Sequence, residues 1–316
     1  MTADDGRSDG PDPDLVASTD LLAAELPDDR FVDARDLRWL DLENPLGAAI
    51  QRSTDPDGQR VAHYAIVPQT YRDRNGPVPA AFSRNAGVRE GHQRAGHFRT
   101  NGLSIYEEAP AHGMMFDIGV SNEKSTGAVV KYMGWRLVGP LPVRVLHPGR
   151  RAEADVRHIP IDRAMLASDW FADLAGDLDD HPADGLTNRY DLASLRWRLS
   201  CPHTDYHLHV GEHIVAVSTR SSLGPLPAAV ILKLLPRGAG SIGAPTSALV
   251  GSVLRHHRAG FGVYAGFNRH LGVRGVQPPR RFQPSPLNLI VRSFDPGWDQ
   301  DTLRLDTFEF LDMDAY

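Results

Sequence analysis

Val88-Arg-Glu-Gly-His-Gln-Arg-Ala-Gly-His-Phe98 is the stretch on which the reading of this chain turns. It leaves a β-branched residue, turns at Gly91 and Gly96, and enters a helical pattern that runs from Phe98 to Glu108. A strand that breaks into a short loop and then a helix start is a place to hold phosphate. The first amides of a helix have no intrahelical partner, and the helix dipole puts partial positive charge there. Gly96 has no Cβ, so a ligand can approach its backbone. Asn122-Glu-Lys-Ser125 and Tyr132-Met-Gly-Trp135 follow downstream.

Upstream of this loop, Ala48–Arg52 and Val61–Pro68 read as two antiparallel strands. Asp55-Pro-Asp-Gly58 between them has turn chemistry. Val78–Val88 reads as a third strand, Phe98–Ala109 as a helix, Met114–Val120 as a strand and Ser125–Tyr132 as a helix. Arg136–Leu146 reads as a strand interrupted by proline, so the order is that of a mixed α/β domain. Ser18–Leu26 and Leu37–Leu42 are expected as short helices before it. The segment up to residue 30 is expected to be partly disordered, the first domain to span 31–150, a polar connection with a helical piece at Arg163–Leu178 to span 151–190, and a second domain to span 191–316.

The bulk properties exclude several classes. With 316 residues the chain is comfortable for two domains. A net charge of −6 gives nucleic acid no electrostatic footing. No apolar run approaches the length of a membrane span, and the acidic start has no secretory core, so a cytoplasmic location is the expectation. One cysteine, Cys201, excludes an internal disulfide and any cysteine-rich metal site.

An internal repeat runs through the chain. Arg38-Trp39 opens the first unit and Arg196-Trp197 the second, and Met115–Asn122 resembles Gly262–Asn268. Each of these last segments follows a helical pattern that ends in small residues, Ala111-His-Gly113 and Arg258-Ala-Gly260. Two similar units argue for duplication. The second has no counterpart of the Gly91–Phe98 loop, with Ser241-Ile-Gly-Ala-Pro245 in its place, so one ligand per chain is expected.

Arg60–Pro68, Val88–Phe98 and Ser121-Asn122 through Gly134-Trp135 resemble the GNAT acyltransferase superfamily, in particular its tandem-domain branch. The family loop reads Arg/Gln-x-x-Gly-x-Gly/Ala. Gln93 and Gly96 match its first and fourth positions, and Phe98 stands where the sixth is small. The resemblance implies a mixed α/β fold of two GNAT-like domains, each a mostly antiparallel mixed sheet flanked by helices. It implies an acyl-CoA, with acetyl-CoA as the expected form, in a cleft where the strand ending at Val88 splays from the strand ending at Val120. The pantetheine would pair near Gly87, Val88 and Arg89. The pyrophosphate would lie on Gln93, Arg94, Ala95, Gly96, His97 and Phe98, with Asn122 and Ser125 nearby. A small-molecule amine would attack the thioester directly. A homodimer is compatible with this reading.

The catalytic candidates are Asp117, Tyr64 and His63. Asp117 is a carboxylate inside an apolar strand, where a charge is costly unless paired or wet. His63 and Tyr64 alternate on one strand, so they face opposite sides. The family's usual tyrosine would fall at Val129. Tyr132 is offset from it by three residues and reads as packing. The missing tyrosine keeps a second reading open, a repurposed module that binds a CoA or carrier-protein thioester without ordinary acetyl transfer. His203, His207, His209 and His213 with Asp205 raise the idea of a metal, but the alternation Tyr206–Leu208–Val210 explains the segment as an amphipathic strand, and no metal is expected. His256-His257 reads as the cationic end of a helix. The terminal Asp306–Tyr316 reads as an edge or closing strand, with Asp314 a candidate contact for a cationic acceptor.

Overall fold

The computed structural model describes residues 12–25, 33–148, 153, 155–179, 184–279 and 286–313. The expected disorder of the first dozen residues and the role suggested for Asp314 both fall largely or wholly outside them.

Two helices come first, α1 (Pro13–Glu25) and α2 (Ala34–Leu42). The first begins earlier than Ser18 because Pro13 suits an initial helical position and Asp12 accepts from the Asp14 amide. Asp33 caps the second by accepting from the amides of Arg35 and Asp36. Then come β1 (Ile50–Thr54), β2 (Ala62–Asp73), β3 (Gly76–Val88), α3 (His97–Glu108), β4 (Phe116–Ser121), α4 (Glu123–Tyr132), β5 (Arg136–Pro140) and β6 (Val143–Leu146). The polar connection contributes β7 (Arg157–Pro160), α5 (Arg163–Leu166) and α6 (Asp169–Asp179). The expected single helix over Arg163–Leu178 is therefore two. Asp162 caps the first piece, and Ser168 restarts the second by accepting from the Phe171 amide. The remainder is β8 (Thr187–Asn188), α7 (Leu192–Leu199), β9 (His207–Val210), β10 (Ile214–Leu223), β11 (Leu226–Pro236), α8 (Ser247–His256), β12 (Phe261–Asn268), β13 (Asn288–Ser293) and β14 (Thr307–Glu309).

The strands form two seven-stranded sheets, ordered β1-β2-β3-β4-β13-β5 with β8 beside β2, and β14-β12-β11-β10-β9-β7 with β6 beside β12. In each, one parallel pair joins otherwise antiparallel neighbours: β3 with β4, and β11 with β12. The expected boundaries at 150 and 191 divide the chain differently from the sheets. β13, late in the chain, pairs with both β4 and β5, whereas β6, early in the chain, pairs with β12. The interruption at Gly139-Pro-Leu-Pro142 sends the chain across. Gly139 has a positive φ of 145°, Pro140 and Pro142 offer no amide, and Leu141 donates to Leu287 O. Each half thus lends the other the strand that covers the free edge of its parallel pair.

One apolar core lies between the sheets. It takes Phe82, Phe116, Ile118 and Val291 from the first and Val217, Val230, Leu232 and Phe308 from the second. Ile105, Tyr106 and Val129 of α3 and α4 cover a separate cluster on the first sheet, and Leu249, Val253 and Leu254 of α8 cover one on the second. The Trp39–Trp197 repeat becomes physical contact. The indoles stack at 5.0 Å, and each Nε1–H donates to the other's backbone carbonyl at 3.0 Å. Such reciprocity is what a twofold relation between equivalent units produces. Among the described residues no helix is long and apolar enough to cross a membrane.

Candidate active site

The parallel pairing of β3 and β4 ends at Ser83↔Gly119, although β3 continues to Val88. Just past that point β3 bulges against β2, since His63 pairs with Gly87 but Ala65 with Arg84. Asn85 takes a positive φ of 54° to make the extra residue fit. The bulge turns the far part of β3 away from β4, and among the described residues no strand pairs with it on that side.

The loop follows directly. Gly91 and Gly96 sit at φ 86° and 85°, conformations that strain any residue with a Cβ, and a Cβ at either would meet open space. Gly96 ends the loop as the first half-helical residue of α3, with no side-chain cap. The first intrahelical bond is Thr100 N to Gly96 O, so the amides of His97, Phe98 and Arg99 have no partner within the helix. Gln93, Arg94, Ala95 and Gly96 are exposed, and Val88, Arg89 and His97 are half-buried. Gly87 is buried against Leu22 of α1. Phe98 points inward and meets the Tyr64 ring edge-on at 5.2 Å. Its bulk therefore serves the helix-to-sheet contact. Asn122 and Ser125 cap α4, the Asn122 carboxamide oxygen accepting from the Ser125 amide at 3.0 Å.

A buried hydrogen-bonded chain ends where the strands part. Trp135 Nε1 donates to Tyr106 Oη at 3.0 Å, Tyr106 Oη meets Tyr64 Oη at 2.6 Å, and Tyr64 Oη meets Ser83 Oγ at 3.2 Å. Ser83 Oγ donates to Asp117 Oδ2 at 2.6 Å. With Asp117 ionised, every hydroxyl donates towards the carboxylate and Trp135 supplies the last proton, so the chain has one consistent direction. Asp117 is fully buried, and its other oxygen has no hydrogen-bond partner. Burial pushes its carboxyl up to about 7, opposed by the Ser83 hydrogen bond and by Arg292 on the neighbouring strand, its register partner. Arg292 also stacks on the Tyr106 ring at 4.6 Å. Ser83 is the half-buried member of the chain, while Asp117, Tyr64, Tyr106 and Trp135 are buried.

His63 is separated from this chain. It faces α1, where its Nδ1 lies 3.3 Å from Ser18 Oγ and 3.1 Å from Ser53 Oγ. Burial and the nearby Arg60 guanidinium push its imidazole down to about 4. Tyr64 and His63 thus face opposite sides of β2, and only Tyr64 meets Asp117 through Ser83. Tyr132 is exposed, contrary to its reading as packing, while Val129 is the buried residue of α4. Ser83, Tyr106 and Arg292 escaped the sequence reading. Their contacts to Asp117 and Tyr64 run between strands and a helix far apart in sequence, so no spacing reveals them.

The second parallel pair diverges after Ile231↔Tyr264. Here the opening is filled. β14 pairs with Gly266–Asn268 at the end of β12, and a 3-10 turn, Phe310–Met313, continues from it. The Glu309 carboxylate accepts from the Leu234 amide, and the Asn268 side chain donates to Leu234 O, so backbone groups of β11 past the divergence are taken up. Lys233 is buried between Glu309 at 3.0 Å and Asp312 at 2.7 Å. The terminal segment therefore behaves as an edge or closing strand: β14 ends its sheet and closes the opening, with its carboxylates buried. The connection before α8 is tied down too, with Gly243 donating to His270 O and Thr246 Oγ1 to Gly272 O. Two surface cavities, one along β1 and β2 near Gln51 and Met114 and one among Glu153, Trp170 and Arg237, lie away from both divergences.

A mixed sheet whose central parallel strands part beside an uncapped helix start, present twice in one chain, is the GNAT fold in tandem. No family model and no curated protein matches the sequence. Solved structures do. A GCN5-related N-acetyltransferase from Anabaena variabilis is 11% identical and superposes with a TM-score of 0.60 over 88% of this chain and 69% of its own. A tandem GNAT protein from the clavulanic acid biosynthesis pathway is 12% identical, with a TM-score of 0.52 over 91% of this chain and 97% of its own. Saccharomyces cerevisiae N-myristoyltransferase, solved with myristoyl-CoA, is 10% identical, with a TM-score of 0.51 over 90% and 84%.

Proposed function

We propose that the chain is an acyl-CoA-dependent N-acyltransferase acting on the amine of a small molecule, with one cofactor site in the first half. The observation that carries this reading is the divergence of β3 from β4 past Ser83↔Gly119, leading into a loop with an uncapped helix start. The pyrophosphate of the cofactor would accept from the amides of Arg94 and of Gly96 to Phe98, the Ala95 amide donating to His92 O, with Arg94 and Gln93 at the loop surface. The pantetheine would pair with β3 near Gly87, Val88 and Arg89. Asn122 and Ser125, at the start of α4 where the Asn122 carboxamide accepts from the Ser125 amide, would lie near the same cofactor.

The acyl carbonyl would reach the bulge, where β3 amides free of β4 can stabilise the oxyanion. The amine attacks the thioester carbonyl, the carbon–sulfur bond breaks, CoA leaves as thiol, and the amine loses one proton. Ser83, half-buried, is the most accessible member of the chain to Asp117, and a carboxyl pushed up to about 7 suits a base at neutral pH. His63, buried against α1, would act on the opposite face of β2 as part of the packing around Arg60.

A second reading rests on Val129, buried where the family's tyrosine would stand, and on the full burial of Asp117 and Tyr64. In it the first half binds a CoA or carrier-protein thioester without acetyl transfer. Isothermal titration with acetyl-CoA and CoA, followed by thiol release over a panel of amines, separates the two. Binding with thiol release supports the transferase. Binding without release supports the second reading. No binding at millimolar ligand would overturn both. The acceptor class, cytoplasmic location and a homodimeric state are further parts of this proposal.

A further inference from the structure

The second half gathers five histidines on the outer face of its sheet. His158 comes from β7, His207 and His209 from β9, His256 ends α8 and His257 follows it. Their rings stack with centroids between 4.6 and 6.3 Å apart. Tyr206, Leu208 and Val210 alternate with them into the core, as the amphipathic reading expects, so the strand pattern and the cluster share one segment. Of the residues first considered together, His203 lies instead against Asp33 and Asp36, and His213 is exposed beside Glu212. Their places are taken by His158, His256 and His257, which sequence spacing could not group with β9.

One ring nitrogen from each of His207, His256 and His257 lies within 4.8 Å of the other two. His256 Nε2 and His207 Nδ1 are 3.1 Å apart. Ligands about 2.1 Å from a tetrahedral metal stand about 3.4 Å apart, so a small contraction brings all three onto one ion. The other two histidines orient the set. Ser218 Oγ lies 2.7 Å from both His257 Nε2 and His209 Nε2, and His158 Nδ1 lies 2.6 Å from His209 Nδ1. Such outer contacts hold metal-ligating imidazoles in position. Only neutral imidazole ligates a metal; Asp205 faces His207 and Arg220 faces His257.

We infer that His207, His256 and His257 form a site for a divalent transition metal of the zinc class, bracing the end of α8 to β9, with a fourth position left for water.

The test uses the full chain, stripped with chelator and titrated with Zn2+ against a chromophoric competitor. The expected result is one tight equivalent per chain, with melting raised by about 5 °C at a hundredfold excess over the dissociation constant. H207A and H256A are each expected to weaken that equivalent about 100-fold, and S218A about 10-fold. H203A is expected to leave it unchanged, which separates this site from the Asp33–Asp36–His203 group. Loss of the tight equivalent in H203A with retention in H256A would overturn the assignment. So would the absence of any tight equivalent in the intact chain. Should H207A misfold, H256A at the partly exposed helix end decides the matter through the same titration.

Discussion

Beyond Ser83 and Gly119 the first parallel pair parts and stays unpaired; beyond Ile231 and Tyr264 the second parts and is filled by the chain's own C-terminal segment. The first opening ends in exposed glycines and uncapped amides. The second ends in Lys233, Glu309 and Asp312, all buried, with Asn268 and Glu309 holding the backbone of Leu234. Diverging strands leave backbone polar groups that must find partners. In the first half no strand takes them up among the described residues, and the other half satisfies them internally. The same framework is therefore open in one copy, where the proposed cofactor site lies, and braced in the other.

Removing the ion that holds the filled opening should have the largest effect. Lys233→Ala strands two buried carboxylates and is expected to cost about 3–5 kcal/mol in denaturant unfolding. A loss below about 1 kcal/mol would mean that the charges do not hold the segment in place.

The Asp117 carboxyl offers a test within the first half. Its folded value is raised, so the stability it permits is full below about pH 4 and is lost as pH rises through about 7. The stability difference between Asp117→Asn and the parent chain should therefore grow in the variant's favour over that window, by about 2–4 kcal/mol. Asp41 and Glu309, also raised to about 7 by burial, titrate in both proteins and drop out of the difference. A flat difference would show that Asp117 is not the buried, ionisable end of the chain through Ser83.

Gly266→Ala probes how tightly the second opening is closed. Gly266 sits at φ 117°, and a Cβ there would collide with the Phe308 carbonyl. The substitution should cost about 3 kcal/mol, or release the terminal segment and increase proteolysis near residue 306. An unperturbed protein would contradict the close approach.

Acetyl-CoA at a hundred times its dissociation constant should stabilise the chain by about 2.7 kcal/mol with one equivalent bound. Two equivalents would erase the contrast between the openings. The smallest effect is expected from Gly96→Val. It strains the φ of 85° that sets the loop into α3, so CoA binding should weaken about 10-fold while folding changes by about 1 kcal/mol.

Much of the first half was legible because its signals are local. The β1–β2 turn, the Gly91–Gly96 loop, the Asn122 cap and the helical patterns depend on neighbours within a few residues. The repeat was legible through Trp39 and Trp197, although their reciprocal contact was not. The closing role of Asp306–Met313 was legible from its alternation, but the burial of its acidic residues was not. Only the position of Lys233 on another strand makes them tolerable in the interior. The histidines were dispersed for the same reason, since β7, β9 and α8 meet only once the second sheet is assembled.

Sequence by itself determined the mixed α/β class, the duplication and the glycine loop that sets one half apart from the other, because hydrophobic period, glycine conformational freedom and capping act over short spans. The tertiary structure alone decided which strands complete each sheet. It exchanged β6 and β13 between the halves, joined Asp117 to Tyr64 through Ser83, filled the second opening and brought five imidazoles together. Those outcomes depend on pairing free strand edges and on compensating buried charge across long separations, and the energies that settle them belong to partners no local pattern names.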